Sequence, residues 1–81
     1  MTHRITIKIW DKKDQLITNK HIQIVDECVT DSKITMPFDE RVLQLLQENT
    51  TYEITIDWDP VTIYKTYKSG KWLVIEYNGG K

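Results

Sequence analysis

Hydrophobic and polar residues alternate along most of this chain, which is the pattern of half-buried β-strands. The first such run extends from His3 to Trp10 and places every second side chain on one side, namely Ile5, Ile7 and Ile9. A polar turn at residues 11–14 leads to a second run, Leu16 to Val25, with Ile22 and Ile24 on its inner side. The two runs predict a hairpin at the start of the chain.

The same alternation returns in the C-terminal third and predicts a meander of three strands. These strands are Tyr52 to Trp58, Val61 to Tyr67 and Trp72 to Tyr77. Asp59-Pro60 is the expected first turn and Ser69-Gly70 the second, because these residue types favour turn conformations. Between the hairpin and the meander, Cys28 and Val29 are expected to form a short strand that pairs with Ile34 and Met36.

One segment follows a helical spacing instead. Its apolar residues recur at i, i+4, i+7 and i+8, so that one stripe faces a core: Phe38, Val42, Leu45 and Leu46. Pro37 suits the first helical turn, and Asp39 and Glu40 lie where the helix dipole favours negative charge. Asn49 is a residue type that ends helices. The spacing predicts a helix over residues 38–48.

Together the elements predict an α+β fold, in which a small antiparallel β-sheet of five to six strands carries one helix, about residues 38–48, packed on one face. Residues 1–78 are expected to form a single small domain and residues 79–81 a flexible tail. An OB-like barrel is an alternative, because it also places its helix between the third and fourth strands.

A further alternative comes from the segment Leu46-Gln47-Glu48-Asn49-Thr50-Thr51-Tyr52, in which a Leu precedes a Tyr by six positions. It resembles the tyrosine corner of fibronectin-type and immunoglobulin-like β-sandwiches. That resemblance implies a sandwich in which Val42 to Leu46 is a strand.

Composition argues against several classes of function. A formal net charge of −1 over 81 residues is not the basic footprint that binding to phosphate backbones requires. Cys28 is the only cysteine, so the chain has no internal disulfide and no paired zinc-ligand spacing. Since no apolar run reaches membrane-spanning length, we expect no membrane association and a cytoplasmic location.

Candidate catalytic groups are few, and each has a simpler interpretation. His3 and His21 lack a third fixed metal ligand, and solvated surface histidines are the better interpretation. Asp57 and Asp59 flank Trp58 at the end of a predicted strand, and the Asp59-Pro60 pair is better explained as ordinary turn chemistry. Cys28 has no surrounding nucleophile motif and is of a residue type that is often buried. We therefore expect no enzyme activity, no metal and no cofactor.

The aromatic residues are a stronger lead to function. If the aliphatic side chains face the helix, the pleat places a different set on the opposite face: Trp10, Tyr64, Trp72 and Val74, with Lys8 and the threonines Thr6, Thr55, Thr62 and Thr66 beside them. Trp and Tyr concentrate interface energy. The charges nearby are mixed, with Lys8 against Glu53, Asp57 and Glu76, which suits a protein partner better than nucleic acid.

The leading expectation is therefore a non-enzymatic protein-binding module, with homodimerisation through the same face as one form of it. The chain has no alanine and uses Ile and Lys heavily, which is typical of AT-rich genomes. A small phage or mobile-element protein that inhibits a host factor by binding it is the specific form that we expect.

Three alternatives stay open. In a sandwich, the same aromatic side chains would form the second half of a core. In an OB-like single-stranded nucleic-acid binder, Trp10, Tyr64 and Trp72 would be stacking platforms, with Lys8, Lys65 and Lys68 along the strand. In a small-ligand sponge, the aromatic face would close over a nucleotide base in a dimer.

Overall fold

Strands dominate the structure, a computed structural model that describes residues 1–48 and 51–78. Its elements along the chain are β1 (Thr2–Trp10), β2 (Leu16–Val25), a 3₁₀ turn (Asp26–Cys28), β3 (Lys33–Pro37), α1 (Glu40–Gln47), β4 (Thr51–Ile56), β5 (Asp59–Ser69) and β6 (Trp72–Asn78). The six strands form one antiparallel sheet in the order β2-β1-β4-β5-β6-β3. The predicted small α+β fold is confirmed, and so are the first hairpin and the C-terminal meander.

The inner face of the sheet is almost entirely aliphatic, because the strands keep the alternation seen in the sequence. Ile5 pairs with Ile56, and Ile7 pairs with Ile54, across β1 and β4. The side chains that are fully withdrawn from solvent come from four strands: Ile5, Ile7, Ile9, Ile34, Met36, Leu73 and Ile75 at 0 % exposure and Ile54 at 1 %. Burying one such side chain contributes roughly 1.5–3 kcal/mol, so this face holds the fold together.

Helix α1 covers the inner face but begins later than the sequence predicts. Pro37 is the last residue of β3, and Asp39 is the N-cap, whose carboxylate accepts a hydrogen bond of 3.1 Å from the amide of Val42. The lysine Lys20 of β2 donates to the same carboxylate at 2.7 Å. An N-cap has extended dihedrals, so Asp39 separates the strand from the helix.

Burial along α1 is narrower than the predicted stripe. Val42 and Leu46 are buried, whereas Phe38 and Leu45 are only partly buried against the core. Because residues 40–47 are helical, the sandwich implied by the tyrosine-corner resemblance is wrong. The expected helix end at Asn49 lies outside the described residues, as does the expected tail at residues 79–81.

The turn between β4 and β5 lies two residues earlier than predicted. Ile56 pairs with Asp59, so Asp57 and Trp58 form a two-residue turn with φ angles of +50° and +73°. Positive φ at both positions is the geometry that matches the twist of a hairpin. Pro60 lies within β5, where it is tolerated because β6 pairs with β5 only from Thr62 onward. Trp58 is therefore at a turn and 68 % exposed, not inside a strand.

A β-bulge in β5 changes which side chains face outward. The register shifts between Ile63 and Lys65, so Tyr64 is an extra residue in the ladder. Beyond the bulge Thr66 pairs with Ile75 on the inner side and Tyr67 pairs with Val74 on the outer side. The prediction that Thr66 lies on the outer face is wrong for this reason.

The two edges of the sheet approach each other. A cleft is lined on one side by β2 residues such as Ile24 and on the other by Met36 and Pro37 of β3. The expected strand at Cys28 and Val29 is reduced to a 3₁₀ turn and a single bridge from Val29 to Ile34. The sheet thus curls so that its two edge strands face each other, and its six strands differ from the five-stranded barrel of an OB fold.

Candidate functional site

The outer surface of β5 and β6 carries a group of side chains that we call the aromatic patch: Tyr64, Lys65, Tyr67, Trp72, Val74 and Glu76. The register places Tyr67 opposite Val74 and Lys65 opposite Glu76, while Trp72 stands between Ser69 of β5 and Pro37 of β3. Trp72 and Tyr64 are 47 % and 66 % exposed. Val74 is only 5 % exposed and forms the floor of the patch.

Polar contacts hold the two tyrosines of the patch in place. The Tyr64 hydroxyl lies 3.5 Å from Oε1 of Glu76, to which it donates. A hydrogen bond with the Glu76 carboxylate raises the pKa of Tyr67. The Lys65 ammonium lies 5.2 Å from the centroid of the Tyr67 ring, within cation–π range. The patch therefore contains rigid aromatic area and one charge of each sign.

The structure does not bring all the predicted binding residues together. Trp10 is on the outer face of β1 but is partly buried, opposite Leu16 of β2 and Thr51 of β4. Because β4 separates β1 from β5, Trp10 is at least two strand spacings, about 10 Å, from Tyr64. Lys8 stays with Trp10 on β1 and faces Glu53, as the sequence indicates. Tyr64, Trp72 and Val74 lie along the neighbouring strands β5 and β6, whereas Trp10 and Lys8 lie on β1, on the far side of β4.

The lysines predicted to lie beside the aromatic residues do not all share their face of the sheet. Lys68 pairs with Leu73 on the inner side of β5, where its ammonium lies 4.7 Å from the centroid of the Phe38 ring. Lys68 and Trp72 consequently face opposite sides of the sheet. The arrangement does not match the groove of a single-strand binder, in which cations and stacking rings share one surface.

The two histidines lie in different environments. Nδ1 of His3 is 2.5 Å from Oδ2 of Asp57, and its Nε2 is 2.9 Å from Oδ1 of Asp26. His21 is instead 3.4 Å from the hydroxyl of Thr6, on the outer face. Among residues 1–48 and 51–78, no cluster of three His, Cys, Asp or Glu side chains is arranged to hold a metal ion.

His3 links three elements through ionic contacts. The hydrogen bond to Asp57 raises the pKa of His3, and the same bond lowers the pKa of Asp57. The terminal ammonium of Met1 is 3.8 Å from Asp26. The start of β1 is thereby tied to the 3₁₀ turn and to the β4–β5 turn, next to a cavity at this end of the sheet.

Sequence reasoning did not find Tyr67, Trp58 or the His3–Asp57 pair. Tyr67 depends on the bulge, for which the residue types give no signal, and His3 and Asp57 are 54 positions apart. Trp58 was assigned to a strand because it continues the alternation of β4. An isolated Asp-Trp has none of the Asn-Gly character that marks such turns.

Comparison with protein families, with curated protein sequences and with solved structures finds no match for this chain. Within the described residues, no helix has the length and apolar content needed to cross a membrane.

Proposed function

We propose that this chain is a non-enzymatic protein-binding module that docks through the aromatic patch. The observation that supports the proposal is the exposure of Trp72 and Tyr64 above the buried Val74. Anchors of this kind supply most of the binding energy at interfaces, and a rigid floor lowers the entropy lost on binding.

The charge of the patch favours a protein as the partner. Lys65 and Glu76 face each other across β5 and β6, so the patch is close to neutral. A nucleic-acid surface would meet no stripe of cations here, and phosphate neutralisation dominates such binding. Protein interfaces, in contrast, combine aromatic residues with mixed charge at their rims.

The finer parts of the proposal rest on composition and symmetry. We extend the proposal to a phage or mobile-element origin and to inhibition of a host factor, which the AT-rich residue usage and the small size favour, and to a cytoplasmic location, which the single cysteine favours. A homodimer is the case in which a second copy covers the aromatic patch, since a two-fold axis pairs the same surface on both chains.

The test compares two variants of similar side-chain exposure. Trp72→Ala removes the anchor, whereas Val25→Ala changes a 49 % exposed residue of β2. Both should keep the circular dichroism spectrum of the parent. We expect proteins captured from a host lysate by the parent and by Val25→Ala to be lost with Trp72→Ala, and the purified partner to bind about thirtyfold more weakly.

Sedimentation of the same proteins tests the dimer, which Trp72→Ala should dissociate. If all three proteins capture the same partners and sediment alike, the aromatic patch is not the binding surface. The salt dependence of binding distinguishes a protein partner from a nucleic-acid partner. Binding through aromatic burial should tolerate a rise in salt from about 50 to 200 mM, whereas a ligand held by several phosphates should lose on the order of a thousandfold in affinity. A loss of that size would point to the nucleic-acid alternative.

A further inference from the structure

The two edge strands of the sheet, β2 and β3, face each other across a cleft of about 260 Å³. On the β2 side the cleft is lined by the consecutive residues Ile22, Gln23 and Ile24. Successive side chains of a strand point to opposite faces, so a cleft that touches all three runs along the edge of β2, where the backbone groups are. Met36 and Pro37, also consecutive, line the β3 side. The cleft is therefore the space between two strand edges.

The separation of these edges matches the width of one inserted strand. The Cα atoms of β2 and β3 lie almost everywhere more than 8 Å apart, whereas paired strands are about 5 Å apart. An upper limit comes from the ion pair that spans the cleft, in which the Lys20 ammonium is 2.7 Å from the carboxylate of Asp39, just beyond β3. Bond lengths limit these side chains to reaches of about 6 and 4 Å, so their Cα atoms are no more than roughly 13 Å apart. One inserted strand needs about 10 Å between its neighbours and two need about 14 Å, so the gap fits one.

The chain already places one of its own residues in this gap. Val29 forms an antiparallel bridge with Ile34, which pairs on its other side with Ile75 of β6. Val29 thus takes the position of a seventh strand beside the first residues of β3. Beyond it the open edge of β3 is short, and Pro37 has no N–H to donate.

The longer open edge belongs to β2. Within the described residues β2 pairs only with β1, so along Thr18 to Ile24 every second residue directs its N–H and C=O away from the sheet. Natural edges are commonly blunted by proline, by bulges or by an inward lysine. The register shift of β2 lies before Thr18, and its inward Lys20 is neutralised by Asp39. The unpaired backbone groups match one kind of ligand, the backbone of an extended chain.

We propose that an extended segment of a protein partner, about five residues long, inserts into this gap as a seventh strand, with its backbone paired to β2 and an apolar side chain between Ile24 and Met36. From Lys20 to Ile24 the strand rises about 14 Å, the length of about five extended residues. Ile24 and Met36 are both buried core residues, so this wall is apolar.

The dimensions of the gap argue against other occupants. Its volume is below the roughly 300–1,000 Å³ of pockets that bind small molecules, so it suits one side chain and the adjoining backbone. A second copy of the chain would bring a whole sheet to the edge of β2, and the strand next to the paired one would collide with β3. A single extended segment meets no such obstacle.

The probe is the peptide acetyl-Thr-Val-Thr-Val-Thr-amide, added to the full chain labelled with ¹⁵N. The matched control peptide carries N-methyl groups on its second and third residues, which removes one donor from each edge of the peptide and keeps every side chain. We expect the probe to shift the amide signals of residues 20–24 and of Met36, and to slow the hydrogen exchange of β2 amides that point into the gap. The N-methylated peptide should leave these signals in place.

Two variants of partly buried isoleucines in β2 show where the probe binds. Ile22→Ala removes part of the apolar wall and should weaken the probe about tenfold, whereas Ile17→Ala, away from the cleft, should bind it like the parent. Trp72→Ala should also bind it like the parent, because the aromatic patch lies on the outer surface of β5 and β6. If the N-methylated peptide binds equally well, if both isoleucine variants weaken the probe alike, or if no β2 amide shifts, the proposal fails.

Two further results would also overturn it. Shifts of the same β2 amides on concentrating the chain without peptide would show that a second copy fills the gap. Shifts confined to Tyr64, Tyr67 and Trp72 would place the probe on the aromatic patch, which would support the proposed function instead. Failure of either proposal thus leaves the other testable.

Discussion

The two faces of the sheet are built from the same strands but differ in burial and in residue type. On β6 the inward residues Leu73 and Ile75 have no exposed surface, while the outward Trp72 is 47 % exposed two strand positions from the 5 % exposed Val74. The inner face is almost entirely aliphatic at its buried centre, because the burial of apolar side chains is what stabilises the fold there. The outer face mixes rings and charges in a way that burial alone does not require, and binding is the role that we propose for it.

The largest effect should come from the inner face. Ile7→Ala removes a fully buried side chain that faces Ile54, and the cavity left behind should cost about 2–5 kcal/mol of the free energy of unfolding, measured in urea. Lys8→Ala, its neighbour on the outer face, should cost less than about 1 kcal/mol. Equal losses would mean that the two faces of β1 contribute equally to the free energy of unfolding.

The second-largest effect should come from the N-cap of α1, where the helix meets the sheet. Asp39→Ala removes the N-cap of α1 and the ion pair with Lys20, and we expect a loss of about 1–2 kcal/mol in denaturant unfolding. Asp39→Asn keeps the cap and should retain most of the stability. Lys20 lowers the pKa of Asp39, so this contribution is present above the ordinary value of 3.8 and is lost as the pH falls through the lowered value.

The ionic contacts of His3 should affect how stability varies with pH. Because Asp57 raises the pKa of His3, their bond stabilises the fold fully below the ordinary pKa of 6.5 and is lost as the pH rises through the raised value. Melting temperatures measured between about pH 5 and 8 should therefore fall more for the parent than for His3→Gln. Parallel curves would show that the pKa of His3 is the same in the folded and unfolded states, so that the contact with Asp57 contributes no pH-dependent stability.

The smallest effect should come from the β4–β5 turn. Trp58→Gly removes the cost of the left-handed conformation, about 1 kcal/mol. It also loses the cation–π contact with the Arg4 guanidinium, which lies 5.3 Å from the ring centroid, and it raises the chain entropy of the unfolded state. The free energy of unfolding should change by less than about 1 kcal/mol. The opposite change, Gly70→Ala at the β5–β6 turn with φ +61°, should be clearly destabilising in the same urea titration.

Local patterns were enough to predict most of the fold. Leu16 to Val25 is a strand with the predicted bounds, and Gly70 turns the chain one residue later than expected, paired with Lys71. Strand alternation and glycine turns are determined by residues close together in the chain, so both can be predicted from the local sequence.

The remaining features depend on the folded chain. Asp59-Pro60 has the residue types of a turn, but the pairing of Ile56 with Asp59 places the turn at Asp57-Trp58. Of the predicted binding residues, Tyr64, Trp72 and Val74 lie on the neighbouring strands β5 and β6, while Trp10 and Lys8 lie apart from them because the order of strands places β4 between β1 and β5. Strand order is a long-range property that periodicity does not encode.

The bulge at Tyr64 also bears on how the length of β5 can vary. Ile63 pairs with Tyr77, and Lys65 pairs with Glu76, so the ladder on either side is complete without the residue between them. Deleting Tyr64 would join these pairs into a regular strand and leave Thr66 and Tyr67 on their present faces. Most single-residue deletions inside a strand reverse every side chain beyond them. β5 is thus one residue longer than its pairing needs, and that extra residue is the most exposed ring of the aromatic patch.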